Sequence, residues 1–120
     1  MVRVLIIYSA INILYLLSGN TLIAGEREID SLKLELHNPQ NGNVVQTLNE
    51  LAWEYMYENL DSAHVYALQA IELSNQNQGK LQDYGDARMR LGSVYILQND
   101  PKEAIPKFKE AAAVRTQLLD

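Results

Sequence analysis

Apolar and small residues recur along most of this chain in steps of three and four, the spacing that lines one face of an α-helix. Four strong stripes follow residue 43: Val45, Leu48, Leu51, Ala52 and Tyr55; Ala63, Tyr66, Ala67, Ala70 and Ile71; Tyr84, Ala87, Leu91, Gly92 and Tyr95; Ala104, Ile105, Phe108, Ala111 and Ala112. The polar residues between them are helix punctuation. Asn43 precedes the first stripe and Glu58-Asn59-Leu60-Asp61 separates the first two, placing cap residues at both starts. Gly79 closes the second stripe and suits a left-handed C-terminal position. Asp100-Pro101-Lys102-Glu103 reads as an N-cap, a proline at the first helical position and a capping-box glutamate. Pro106 removes an intrahelical donor just beyond the first turn, which predicts a slight kink there and not a break. Ahead of these, Ile29, Leu32, Leu34 and Leu36 predict a shorter lead-in helix over residues 26–37, with N-cap chemistry at Asp30-Ser31. Pro39 and Gly42 mark the loop that follows.

The stripes repeat. Ala52 to Gly92 spans 40 positions and Ala63 to Ala104 spans 41. The implied fold class is all-α: tandem antiparallel helix hairpins over residues 44–78 and 82–119, each unable to bury its apolar face alone, stacked as a solenoid. Small residues at Gly92, Ala104 and Ala111 let paired helices approach closely, so a bulky residue at Gly92 should damage the fold.

The second hairpin resembles a tetratricopeptide repeat (TPR). Leu91, Gly92 and Tyr95, then Ala104, Phe108 and Ala111, match that family's pattern; Arg88 stands where tryptophan is usual. The first hairpin follows it more faintly through Leu48, Leu51, Ala52, Tyr55, Ala63 and Ala70, with Ala67 at an aromatic position and no terminal proline. The period exceeds the family's 34 residues, and the surplus lies at Ser74–Lys80. The resemblance implies a short right-handed superhelix that binds peptides or helices on its concave side and has no catalytic residues. Such long-period repeats behind a lead-in helix are also similar to the extracytoplasmic front ends of certain bacterial sensor kinases and transcriptional regulators, by analogy of pattern.

The first 25 residues stand apart. Arg3 precedes Val4–Leu17, 14 residues in which only Ser9 and Asn12 are markedly polar, and Ala24-Gly25 follows. This is the layout of a secretory signal peptide over residues 1–24, although cleavage after Ala24 leaves Leu22 where a small residue is preferred. The stretch also approaches the length of an uncleaved membrane anchor, and a buried first helix is the third reading. Either of the first two places the remainder outside the cytoplasm, periplasmic or otherwise exported, with the anchor as its one link to a membrane. The formal charge of −5 is spread along the chain without a basic block, which argues against nucleic acid as a partner. Loss of residues 1–24 removes Arg3 alone among the charges and leaves 9 basic and 15 acidic residues. The absence of cysteine excludes disulfides, thiolate metal sites and cysteine nucleophiles together.

Taken through the resemblance, the concave groove is lined by Gln46, Asn49, Glu50, Trp53, Met56 and Tyr57 from the first hairpin. The second contributes Asp86, Met89, Arg90, Ser93, Ile96 and Leu97. Trp53 lies off the buried stripe, and Met56, Tyr57, Ile96 and Leu97 extend an apolar floor fit for a partner's hydrophobic anchors. The competing reading packs these residues against the lead-in helix or a neighbouring repeat. A carboxylate clamp of the kind some family members carry is rejected, because only Arg90 and Asn49 suit it and Glu50 would repel the ligand. His37 and His64 lie 27 positions apart without metal-ligand spacing, Glu54 and Glu58 read as a solvated helix face, and no glycine loop has phosphate-binding form. The expectation is a non-enzymatic protein-interaction scaffold without cofactor or metal, exported, and the sensory part of a signal-transduction protein. The alternative is a membrane-anchored assembly factor. Two hairpins fall short of the about three repeats that give comfortable stability, and Leu118 and Leu119 end the last helix uncovered. The chain is therefore expected to be marginal alone, to self-associate, or to continue into further repeats.

Overall fold

The computed structural model describes residues 26–38, 42–76 and 80–119. The expected signal or anchor over 1–24 and the cap at Gly79 lie outside them. The described residues are all-α: α1 over residues 26–37, α2 Val44–Tyr55, α3 Leu60–Asn75, α4 Leu81–Leu97 and α5 Pro101–Leu119. Among them, no helix is long and apolar enough to cross a membrane.

The starts are set by local hydrogen bonds. Asn43 Oδ1 accepts from Gln46 N at 3.1 Å and Asn59 Oδ1 from Ser62 N at 3.0 Å, the two asparagine caps read from the sequence. For α4, Asp83 in the first turn reaches back to accept the Lys80 N–H at 2.8 Å. Asn43 Nδ2 also donates to that carboxylate at 3.3 Å, so the start of α2 is tied to the start of α4. At α5, Asp100 Oδ1 accepts from Glu103 N at 3.4 Å. The reciprocal half of the expected capping box is occupied otherwise, because the Asp100 N–H donates to the Tyr95 carbonyl at 2.8 Å. That bond closes the α4–α5 turn with Asn99 at φ 60°, a left-handed geometry asparagine tolerates. Pro106 sits inside an uninterrupted α5. The expected N-cap at Asp30-Ser31 is corrected: helix α1 is already formed at residue 26, so both lie in its interior.

The packing pattern follows from three levels of small and apolar residues. Val45 and Leu48 cluster with Ala70 and Ala87, Ala52 with Ala67 and Leu91, and Met56 with Ala63 and Val94. Successive levels climb α2 and α4 together and descend α3, so α2 is antiparallel to α3 and parallel to α4. Alanines at 63, 67 and 70 are wholly buried, and their small side chains let α3 lie against both α2 and α4. Helix α5 returns along α4, with Phe108 beside Gly92 and Val114 beside Gly85. Helix α1 closes the opposite side of α2, where Ile29 and Leu32 bury Leu51 with Leu36, Tyr55 and Tyr66 around them. Tyr55 and Tyr66 stack at 5.5 Å between centroids. Burying these side chains is the main source of stability, at about 1.5–3 kcal/mol for each large aliphatic one.

Arg88 is buried at the junction of three helices. Its Nη1 donates to Ser74 Oγ at 3.3 Å and to the Tyr84 carbonyl at 3.0 Å, and its Nη2 donates to Asn75 Oδ1 at 2.6 Å. Its Nε lies 3.2 Å from Glu110 Oε2 on α5, in ion-pair range without a hydrogen bond's alignment. The guanidinium lies over the Tyr84 ring. Burial pulls the Arg88 pKa down from its usual value, and Tyr84 and Glu110 oppose that. Arginine thus joins the end of α3 to α4 and α5.

Candidate binding surface

Helices α2 and α4 run side by side and turn adjacent faces outward. On α2 the face carries Gln46, Glu50 and Trp53, continued by Tyr57 in the turn that follows; on α4 it carries Asp86, Arg90, Ser93 and Leu97. Trp53 is 44 % exposed and Tyr57 77 %, and their rings meet edge to face at 6.3 Å. Helix α1 leaves Trp53 uncovered, since its contacts go to Leu51 and Tyr55 on other sides of α2. The Arg90 guanidinium crosses from α4 to lie over the Trp53 ring at 4.5 Å, a cation–π contact that fixes the indole plane. Beside it Gln46 Nε2 donates to Glu50 Oε1 at 3.0 Å.

The surface is acidic as well as aromatic. Partial burial raises the Glu54 carboxyl above the usual range, and Glu28, Glu58 and Glu50 reinforce the rise. Asp86 is raised by burial and by Asp83, with Arg90 pulling the other way. Arg90 is the cation of this surface, and it is already engaged with Trp53. The Ser93 hydroxyl is likewise spent, on the Met89 carbonyl at 3.0 Å.

The twelve residues expected to line the groove divide into three groups. Gln46, Glu50, Trp53, Tyr57, Asp86, Arg90, Ser93 and Leu97 share the outward surface. Asn49 and Met56 do not: both are buried where α2 meets α4, Met56 with Ala63 and Val94, and Asn49 donating to the Asp83 carbonyl at 3.1 Å. Their assignment to an open groove is corrected, because the second hairpin lies directly on that side of α2. Met89 and Ile96, 40 positions further on, are the equivalents of Asn49 and Met56. They are exposed, on the side of α4 away from α2.

The pairing of Arg90 with Trp53 was missed from sequence. Its signal is an offset of 37, three short of the repeat, which sets the two residues on facing edges of parallel helices. Comparison with protein-family models, with curated proteins and with solved structures returned no match.

Proposed function

We propose that this chain is a TPR-like, non-enzymatic scaffold that holds a protein segment on the surface shared by α2 and α4, with Trp53 as the central anchor. The observation that carries the reading is Trp53 itself: a large aromatic, 44 % exposed and oriented by the Arg90 guanidinium over its ring. Preoriented aromatics of this kind supply contact area at low entropic cost. The rim of Glu50, Glu54, Glu58 and Asp86 selects the partner's charge, so the ligand is a segment with apolar side chains flanked by lysine or arginine. In the same proposal residues 1–24 direct export, and the scaffold serves as the sensory portion of a signalling protein. N-terminal sequencing of the mature protein tests that part: a start near Gly25 fits a cleaved signal, and an intact Met1 favours the anchored alternative.

Trp53 is the single tryptophan of the chain and reports on its own site. Titration with amphipathic helical peptides of matched apolar content should give a saturable Trp53 fluorescence change with Lys/Arg-flanked peptides and none with Asp/Glu-flanked ones. The affinity should weaken with salt, as exposed charge contacts are screened. Trp53→Ala should abolish capture at unchanged helicity. Equal response to both peptide charges, or collapse of helicity in Trp53→Ala, would defeat the reading.

A further inference from the structure

We infer that the outer face of the α4–α5 pair seats a second copy of this chain, in a closed two-fold dimer with α4 of each copy against α5 of the other. The inference shares Asp86 with the binding reading above and otherwise rests on a different face, the side of α4 and α5 turned away from the first hairpin.

The repeat identifies the face. Asn49 and Met56 on α2, and Ala67 on α3, are buried because the second hairpin lies on them. Their counterparts 40 or 41 positions later are Met89, Ile96 and Phe108, which are 40 %, 50 % and 37 % exposed. Ile105, Leu118 and Leu119 are exposed on α5 as well. Ile105, Phe108, Ala112 and Leu119 recur at helical steps, so the second hairpin presents an apolar side. Among the described residues nothing covers it. In the first hairpin the same positions receive helix α4 alone, so a helix is the shape this face fits.

The choice of a second copy rests on the other end of the stack and on charge. A head-to-tail partner would have to lay its α2–α3 side on this face, and that side is closed by α1, whose Ile29 and Leu32 cover Leu51. A face-to-face contact avoids that obstruction, and its two-fold symmetry stops at a dimer. A two-fold axis along the helices sets α4 of one copy over α5 of the other at matching height. The antiparallel contacts Gly85–Val114 and Gly92–Phe108 give that height within a copy. Ile96 then meets Ile105 and Phe108 of the second copy. Met89 meets the small Ala112 there. Asp86 and Arg115 flank a cleft of about 240 Å³ floored by Met89, Ala111, Val114 and Leu118. Across the axis, each Asp86 faces the Arg115 of the other copy, two opposite-charge contacts at the rim of an apolar centre. The alternative axis, across the helices, stacks α4 on α4 and gives no such pairing.

The chain has no cysteine, so introduced thiols report without background. Full-length Ile96→Cys and a differently sized Ile105→Cys form are mixed in mild detergent, which keeps the apolar segment of residues 1–24 dispersed, and then oxidised. The expected product is the mixed disulfide, in excess over either self-disulfide and over any product of Val65→Cys, an exposed position on α3. Sedimentation should show a wild-type dimer whose dissociation constant rises about tenfold or more in Ile96→Asp, a charge placed in the apolar centre, at unchanged circular dichroism. Arg115→Asp should weaken the dimer and Asp86→Arg with Arg115→Asp should restore it. A wild-type monomer at about 100 μM, well above a micromolar dissociation constant, overturns the proposal. So does a dimer indifferent to Ile96→Asp, or mixed disulfide no more abundant than the Val65→Cys product.

Discussion

Glycines at 85 and 92 both sit where α4 meets α5, and adding one methyl group to each should have different consequences. A Cβ at Gly92 would lie 2.8, 3.0 and 3.1 Å from three ring atoms of Phe108. A Cβ at Gly85 would lie 3.0 Å from Val114 Cγ1 and 3.3 Å from Val114 Cβ. By distance alone Gly92→Ala is the worse substitution. The neighbours reverse the order. The ring atoms are the far end of a side chain that is over a third exposed, and relieving the overlap takes a shift of about 0.8 Å. A rotation of about 12° around χ1 supplies it, well inside the about 30° that costs 0.5–1.5 kcal/mol. Replacing glycine by alanine within a helix returns about 1 kcal/mol. Gly92→Ala should therefore stay within about 0.5 kcal/mol of the parent, taking these terms together.

At Gly85 the obstacle is Val114, buried and β-branched, with one strongly preferred rotamer in a helix. Its Cβ is fixed to the α5 backbone, so no side-chain rotation removes that contact and α4 and α5 must separate. Overpacking of this kind costs about 1–3 kcal/mol, and the propensity gain offsets only part. Gly85→Ala should lose about 1 kcal/mol net, or about 4–8 °C in melting temperature for a domain of this size. Urea and thermal unfolding of the two variants, followed by circular dichroism, measure the difference. A Gly92→Ala protein less stable than Gly85→Ala would refute the reasoning. Larger residues at Gly92 remain disruptive, since a small ring movement accommodates a methyl group and little more.

Further variants test the buried arginine and a raised carboxyl. Arg88→Ala should cost about 3 kcal/mol in urea unfolding, because it opens a cavity and removes charged hydrogen bonds, whereas Arg88→Met should cost about 1 kcal/mol, since exposed Asn75 and Glu110 can turn to water; equal losses would mean that packing over Tyr84 contributes nothing. Glu54 and Asp86 are raised above their unfolded values, mainly by burial, so each makes the fold less stable as pH rises through the interval between its unfolded and folded pKa. Glu54→Gln should therefore raise the melting temperature at neutral pH and lose that advantage below about pH 3.5, where the carboxyl is protonated in both states; a gain that persists in acid would point to a cause other than ionisation.

What could be read from the sequence was what neighbours along the chain decide. Asn43 and Asn59 cap their helices because the capped amide is three residues away, and the same locality gave Asp100 at α5. The glutamate at 103 failed as a capping-box partner because a tertiary turn, Asp100 N–H to the Tyr95 carbonyl, took the donor first. The α4 start was hidden by Lys80, which has no capping chemistry; the bond runs backwards from Asp83. Asn49 and Met56 were misplaced for a different reason. Helix α2 has two principal partners, α3 and α4, on different sides, and the apolar stripe Leu48, Ala52 and Tyr55 reveals mainly the first. A buried asparagine carries no hydrophobic signal at all. Once α4 is placed, the 40-residue offset explains both ends of the set, since Met89 and Ile96 hold the same positions and are exposed among the described residues.

That offset also separates two kinds of contact. At the inner position Asn49 spends its amide on the Asp83 carbonyl, and its own Oδ1 is left buried without a partner. That directional bond fixes how far α4 slides along α2. Asn43 adds a second such bond to the Asp83 side chain at the same level. Two hydrogen bonds on one residue set the register of the hairpins, which alanine-rich packing by itself would leave loose. The outer position is the opposite. Met89 offers an adaptable, unbranched side chain and no fixed donor, and Ile96 and Phe108 add area without direction. Within the stack the hairpins are aligned by polar bonds and held by small residues. The outer face is built for burial with alignment left to the Asp86 and Arg115 charges at its rim, and for that reason exchanging those two charges tests its register more directly than removing any apolar side chain between them.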